Sequence, residues 1–216
     1  MKIIHSRRKT IALVIEIDGS LVVRAPYRVS QKEIERIVRE KTDWIRERQA
    51  YARKHFGAPH RFVAGELFYY LGSAYPLMII DTRERLLFTK TSFLLAKKDQ
   101  ALAPRIFADW YRSQARQVIH ERASSLAAQH QLRFKGLRIT SARSRWGSCS
   151  SRGVLNFPWR LVMLPLEIID YVILHELAHL KIQNHSKHFW NYLEQLHPSY
   201  RTSRKWLREN GDKFNL

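Results

Sequence analysis

Residues 175–179 read His-Glu-Leu-Ala-His. On a helix, positions four apart lie about 40° and roughly 6 Å apart on one face. His175 and His179 can therefore reach a single ion at the Zn–N distance of about 2.0–2.1 Å. Glu176, one residue along, points elsewhere and can lie beside a metal-bound water without being a ligand, the position a general base needs. Composition alone predicts about 0.03 such matches in a chain with this histidine and glutamate content. Three polar residues sharing an exposed helix face by coincidence is thus a poor account of the motif.

A catalytic zinc site takes three protein ligands and keeps the fourth position for water. His185 is the expected third ligand. On an unbroken helix it would lie about 240° around from His179 and roughly 9 Å along, so the helix must end before it. Gln183-Asn184 is the expected ending, because asparagine tolerates the left-handed conformation that terminates helices. His188 and His197 are rivals, one a turn into the next helix and the other just before Pro198, and Glu194 is a weaker one. Ile182 stands where metzincins carry glycine, which argues against a metzincin proper. Cys149 could also ligate, although a small buried thiol is the commoner role.

Around this motif, Arg143, Arg145 and Arg160 offer guanidinium forks that suit phosphate oxygens, although surface arginines are abundant here and a structural role is the commoner one for any of them. Trp146 to Cys149 reads either as ordinary sheet core or as an edge strand leading to the cleft. In the second case Trp146 and its neighbours would hold an extended substrate by backbone pairing. Tyr171, Tyr192 and Tyr200 could donate to a developing oxyanion, with Tyr171 better explained as packing within its helix. Phe189, Trp190 and Tyr192 read as core beneath the metal site.

The elements that must position these groups follow from periodicity and turn chemistry. Pro165 opens the motif helix, expected over Leu166 to about Ile182, and shorter helices are expected over Lys187 to Leu196 and Arg201 to Asn210. Upstream, strands are expected over Leu137 to Ala142 and Trp146 to Phe157, turned at Ser151-Arg152-Gly153. A long helix runs from Pro104 toward Gly136. Glu66 to Lys98 holds two or three strands, with breaks at Gly72-Ser73 and around Asp81 to Arg85. Ser30 and Glu33 form a capping box for one helix reaching toward Phe56, ended by Gly57 and Pro59. Ile11 to Ile17 and Leu21 to Ala25 form a hairpin joined at Asp18-Gly19-Ser20. The expected fold is α+β: a β-rich N-terminal region with one long helix over residues 1–100, then a zincin-like catalytic domain over residues 101–216. That domain would pair a small sheet with an active-site helix.

Composition bounds the remaining choices. The chain has 216 residues, 45% of them hydrophobic, enough to bury a real core. No window reaches the roughly 18 to 20 apolar residues that a bilayer-spanning helix requires, so no membrane partner is expected. The basic N-terminus before Ile11 resembles a targeting signal in outline, but Glu16 interrupts the apolar run and a hairpin strand is the better reading. One cysteine, Cys149, permits no intrachain disulfide, and cytoplasm is the expected location. The formal charge of +19 favours anionic partners such as nucleotides or nucleic acid, although the excess is spread along the chain as on a generally cationic surface.

Taken together, Arg145-Trp146-Gly147-Ser148-Cys149-Ser150, Leu155-Asn156, Trp159-Arg160-Leu161, Leu164-Pro165, Asp170-Tyr171-Val172, His175 to Leu180, Asn184-His185-Ser186 and Phe189-Trp190 resemble the YgjP-like metallohydrolase family. These are zincin-type proteins related in outline to the SprT and WLM metallopeptidases. The likeness is close over residues 137–200 and one of general layout elsewhere. By position, it implies His175, His179 and His185 as metal ligands and Glu176 as the catalytic acid/base. The resemblance implies a metallopeptidase, while some members resemble nucleotide hydrolases acting on UTP.

The first expectation is accordingly a zinc-dependent hydrolase of peptides or proteins. The second is metal-dependent pyrophosphohydrolysis of nucleoside triphosphates such as UTP, resting on charge and the arginines. A third, from a different class, is a basic nucleic-acid-binding module with a non-catalytic metal site. Structural zinc sites usually close all four positions and favour cysteine, and no recognisable DNA-binding motif appears. Phosphate-binding glycine loops are absent as well.

Overall fold

Leu21, Val22, Val23 and Ala25 are 7%, 6%, 0% and 0% exposed along one strand, and only Arg24 between them is exposed, as in the central strand of a small sheet packed on a core. The computed structural model describes residues 1–15, 19–55, 60–214 and 216. Two compact units divide between His60 and Arg61. In the smaller, strands β1 (Lys2–Ser6), β2 (Ala12–Ile15) and β3 (Leu21–Pro26) lie in the order β1-β3-β2, with β1 parallel and β2 antiparallel to β3. The hairpin expectation holds for its strands, while Asp18 of the turn lies outside the described residues, as do Phe56, Gly57 and Pro59.

The helix expected after Ser30 is two helices, α1 (Gln31–Glu40) and α2 (Thr42–His55). Ser30 accepts from the Glu33 amide at 3.3 Å, as a capping box begins. The break falls at Lys41, where the Thr42 hydroxyl donates to the carbonyls of Val38 and Arg39 at 3.2 and 2.8 Å. A side chain bonding back onto the preceding turn competes with the regular ladder there. Ile34 and Ile45 join β3 in the small core of this unit.

The larger unit opens with four strands where two or three were expected: β4 (Leu67–Tyr70), β5 (Ser73–Ile80), β6 (Leu86–Phe88) and β7 (Phe93–Ala96), in the order β4-β5-β7-β6. Their aromatic side chains pack with those of α3 (Ala103–Gln129): Phe68, Phe93 and Phe107 form mutual ring contacts at 4.3–6.2 Å. Residues 61–100, grouped by composition with the N-terminal region, thus belong to the same core as the motif helix. The long helix ends earlier than Gly136, at Gln129, because Gln131 turns left-handed and the Leu132 amide closes back on Ala127 at 2.8 Å.

Gly136 instead begins β8 (Gly136–Thr140), which pairs in parallel with β10 (Val154–Pro158), while the two-residue β9 (Ser148–Cys149) pairs antiparallel on the other side of β10. Trp146 and Gly147, expected to be strand, lie in the loop before β9. Helices α4 (Leu166–Ala178), α5 (Lys187–Leu196) and α6 (Tyr200–Asn210) complete the unit. Ile168, Ile169, Val172, Ile173, Leu174 and Leu177 are all buried, so α4 is apolar almost all round, as a helix in the middle of a core must be.

Two contacts fix where α4 starts and how it lies. Gly72, at φ +85°, lets the β4–β5 turn approach Pro165 so closely that an added Cβ would meet Pro165 Cα at 2.9 Å. Leu71 and Gly72 donate their amides to Val162 and Met163 at 2.8 and 3.1 Å. On α3, Arg122 Nε donates to Asp170 at 2.8 Å and Nη2 pairs with the second carboxylate oxygen, tying α3 to α4.

Candidate metal centre

The motif helix ends at Ala178, four residues sooner than its apolar spacing suggested. A tight turn follows, with the amides of Leu180 and Lys181 reaching back to Leu177 and Ala178 at 3.0 Å. Polar side chains hold it: His179 Nδ1 meets the Ile182 carbonyl at 2.9 Å, and Gln183 donates to the His179 carbonyl at 2.7 Å. Asn184 is not left-handed; its carboxamide oxygen accepts the Ser186 amide at 3.3 Å and launches α5. The chain therefore turns back as the spacing required, but the helix ends earlier than Gln183-Asn184, and these two residues act through their side chains and not through a left-handed backbone.

This turn brings His185 onto the helix face. Ring nitrogens of His175, His179 and His185 all lie within 4.8 Å of one another, and the Nε2 atoms of His175 and His185 are 2.9 Å apart. His179 is buried, His175 half-buried and His185 exposed, so the cluster runs from the core to solvent. The rivals lie outside the cluster: His197 meets Ser203 Oγ at 3.0 Å, Glu194 pairs with Arg201 at 3.4 Å, and His188 is exposed. Cys149 stands outside the cluster, its thiol pushed up by burial and by the Glu176 carboxylate.

Donor chemistry tests whether a metal fits. Three ligands at about 2.0–2.1 Å from a tetrahedral ion sit roughly 3.4 Å apart, so the observed separations need only small ring rotations. With Nδ1 of His179 committed to the Ile182 carbonyl, its Nε2 lone pair is left for an ion, the outer-sphere arrangement ligating histidines require. Burial first, and then the neighbouring His179, His185 and Arg204, push His175 down to about 3; burial, His179 and Arg204 likewise lower His185. These two rings stay neutral and keep lone pairs free at physiological pH. Two facing Nε2 atoms can share one proton at most, whereas a cation satisfies both. The donor set fits a divalent ion.

Glu176 is 6% exposed and comes from α4 toward the loop before β9. Burial raises its carboxyl to about 7, while the backbone N–H of Cys149 and the charge of Arg145 act to lower it. The close approach depends on Gly147: an added Cβ would stand 2.5 Å from Glu176 Oε1. Gly147 was visible in the sequence only as one member of a motif; nothing local signals that its hydrogen faces a carboxylate of α4, beyond β9 and β10 in the chain.

The remaining expected site residues are divided by the fold. Arg145 is exposed and acts on Glu176 through its charge. Arg160 is buried, 5% exposed; Nη2 donates to the Ala142 carbonyl at 3.0 Å and the guanidinium lies 6.0 Å from the Trp146 ring. Burial and the exposed Arg143 lower it to about 10. Arg160 and Trp146 thus brace the loop that carries Gly147. Tyr171 packs 6.1 Å from the His175 ring and is raised to about 12 by burial above all.

Two participants were not read from sequence. Trp190, expected as core, donates Nε1 to the His185 carbonyl at 3.0 Å and stacks on the His185 ring at 5.5 Å. Arg204 lies over the Trp190 ring at 4.5 Å and is the cation whose charge reaches His175 and His185. Aromatic residues at helical spacing carried no sign of this role, because core packing predicts the same pattern.

No curated protein matches the chain. Among solved structures, the metallopeptidase zymogen abylysin of Pyrococcus abyssi is similar at 19% identity and TM-score 0.39, covering 45% of this chain and 99% of that one. A Wss1 mutant from Saccharomyces cerevisiae is similar at 18% identity and TM-score 0.35, covering 62% and 92%. Residues 9–210 match the family described as YgjP-like, metallopeptidase domain. That span takes in both the imidazole cluster and the buried carboxyl beside it, and the chain belongs to this YgjP-like metallopeptidase family.

Proposed function

We propose that the protein is a zinc-dependent peptidase with His175, His179 and His185 as metal ligands and Glu176 as acid/base. The observation that carries the reading is the convergence of three imidazole nitrogens within 4.8 Å, one helical step from a buried carboxyl held near neutrality. Bound zinc would supply Lewis acidity toward the scissile carbonyl and acidify a water. Glu176, raised to about 7, is matched to accept that water's proton at a carboxylate oxygen and to return it to the departing amine. The Cys149 N–H holds the carboxylate in place, and Gly147 keeps room for it. His179 is oriented by Ile182 and His185 by Trp190.

A peptide is favoured as substrate by β9. Among the described residues its backbone ladder is with β10 alone, so it is an edge strand beside Glu176, the kind of edge to which an extended chain can add. The test is a panel of unfolded protein, UTP and other nucleoside triphosphates, and duplex DNA, assayed with zinc-loaded wild type and Glu176→Gln. Cleavage of peptide bonds, reduced at least about 100-fold in the variant, is expected. Equal activity in both proteins removes Glu176 from the mechanism; turnover of UTP alone, or salt-dependent DNA binding without hydrolysis, replaces the peptidase reading.

A further inference from the structure

The smaller unit contains a groove of about 750 Å³ that takes no part in the metal chemistry. One wall is the consecutive run Thr10 to Leu13, which leads into β2 and includes its first two residues, and the other includes Ile37 of α1 and Trp44 of α2. In the order β1-β3-β2, β2 has a strand on one side only among the described residues. Its outer edge therefore presents main-chain donors and acceptors at strand spacing, a template for another extended backbone. Trp44 is 39% exposed and gives the groove an apolar aromatic surface that an occupant could cover.

Charge narrows the choice of occupant. Lys9, Arg28 and Lys41 line the groove, and none of them is paired with a carboxylate among the described residues. The one acidic lining residue, Glu33, is already engaged by Arg36 at 2.6 Å. A second copy of the chain would bring like charges together across the edge, which disfavours self-pairing. A nucleic-acid strand would satisfy the cations but not the strand edge, and the lining is mainly aliphatic where single-strand binders use stacked aromatic platforms.

We propose that this groove docks an extended, acidic and apolar segment of a partner protein, which adds to the β2 edge as a further strand. Its apolar side chains would rest on Ile37 and Trp44 and its carboxylates would meet Lys9, Arg28 and Lys41. The site is separate from the metal centre, and its occupancy can be read without catalysis.

The test is fluorescence anisotropy of the full chain with a labelled peptide alternating valine and glutamate. A peptide with lysine in place of glutamate and an oligothymidylate serve as comparisons. Amide exchange of residues 10–15 is measured with and without the peptide. The acidic peptide is expected to bind and to slow exchange along β2. The exposed double variant Arg28→Glu/Lys41→Glu should weaken it by roughly tenfold or more and bind the lysine peptide better than wild type does. That reciprocal gain separates a lost site from a misfolded unit. Equal binding of both peptides, unchanged exchange along β2, tighter oligothymidylate binding lost in the same variant, or a β2-paired dimer in sedimentation would each overturn the proposal.

Discussion

A single hydrogen atom on Gly147 decides how closely the β8–β9 loop meets Glu176. Gly147→Ala puts a methyl 2.5 Å from Oε1 and 2.7 Å from Cγ of a buried side chain. Overpacking of this kind costs about 1–3 kcal/mol, and the displaced carboxyl should lose most of its catalytic competence. Denaturant unfolding together with activity measured under native conditions checks both parts. Titration at His175 gives a second residue-scale expectation. Its value falls from 6.5 in the unfolded chain to about 3 in the metal-free fold, so the unfolded state binds the extra proton between those limits. This contribution to stability is complete above pH 6.5 and is lost as pH falls toward 3. Metal-free wild type should lose melting temperature over that range more steeply than His175→Phe; parallel curves for the two would contradict the assignment.

Helix α4 carries the motif, and its position rests on neighbours far away in sequence. Arg122 grips Asp170 with two hydrogen bonds, but its side chain is 39% exposed, so solvent screens part of the attraction. Arg122→Met should cost about 1 kcal/mol, seen as a fall of roughly 2–4 °C in melting temperature, and leave turnover per folded molecule unchanged. Gly72→Ala strikes the other anchor. Strain at φ +85° adds to a 2.9 Å clash with Pro165 Cα, giving a loss of about 2–4 kcal/mol by thermal unfolding. The presence of α4 was legible from its apolar run and from Pro165, whereas its end was not. Side-chain bonds from His179 and Gln183 replace the last turn, and such bonds exist only once the turn has folded.

For the molecule as a whole, metal binding should be a large part of stability. An ion present at about 1,000 times its dissociation constant stabilises the fold that binds it by about 4 kcal/mol. Removal of zinc with a chelator should lower the melting temperature and abolish hydrolysis, and zinc readdition should restore both. Calorimetry on wild type and His185→Ala checks this; an identical response in the two proteins would place the metal elsewhere. The charge of +19 is a property of the entire surface, and no helix among the described residues is long and apolar enough to cross a membrane.

The amino-acid sequence by itself determined the chemistry available here: two histidines one helical turn apart with a glutamate between them, a third histidine beyond a helix end, and the α+β order of elements. These depend on local spacing, which periodicity and turn residues express directly. Tertiary structure alone decided that His185 returns while His188 and His197 do not, and that Gly147 admits the Glu176 carboxyl. It also placed Trp190 and Arg204 behind the cluster and left Arg160 bracing a loop, and it packed residues 61–100 with the motif helix. Most of these are contacts between segments distant in the chain, and the local ones, such as Trp190 with His185, depend on a turn whose path is set by packing and desolvation.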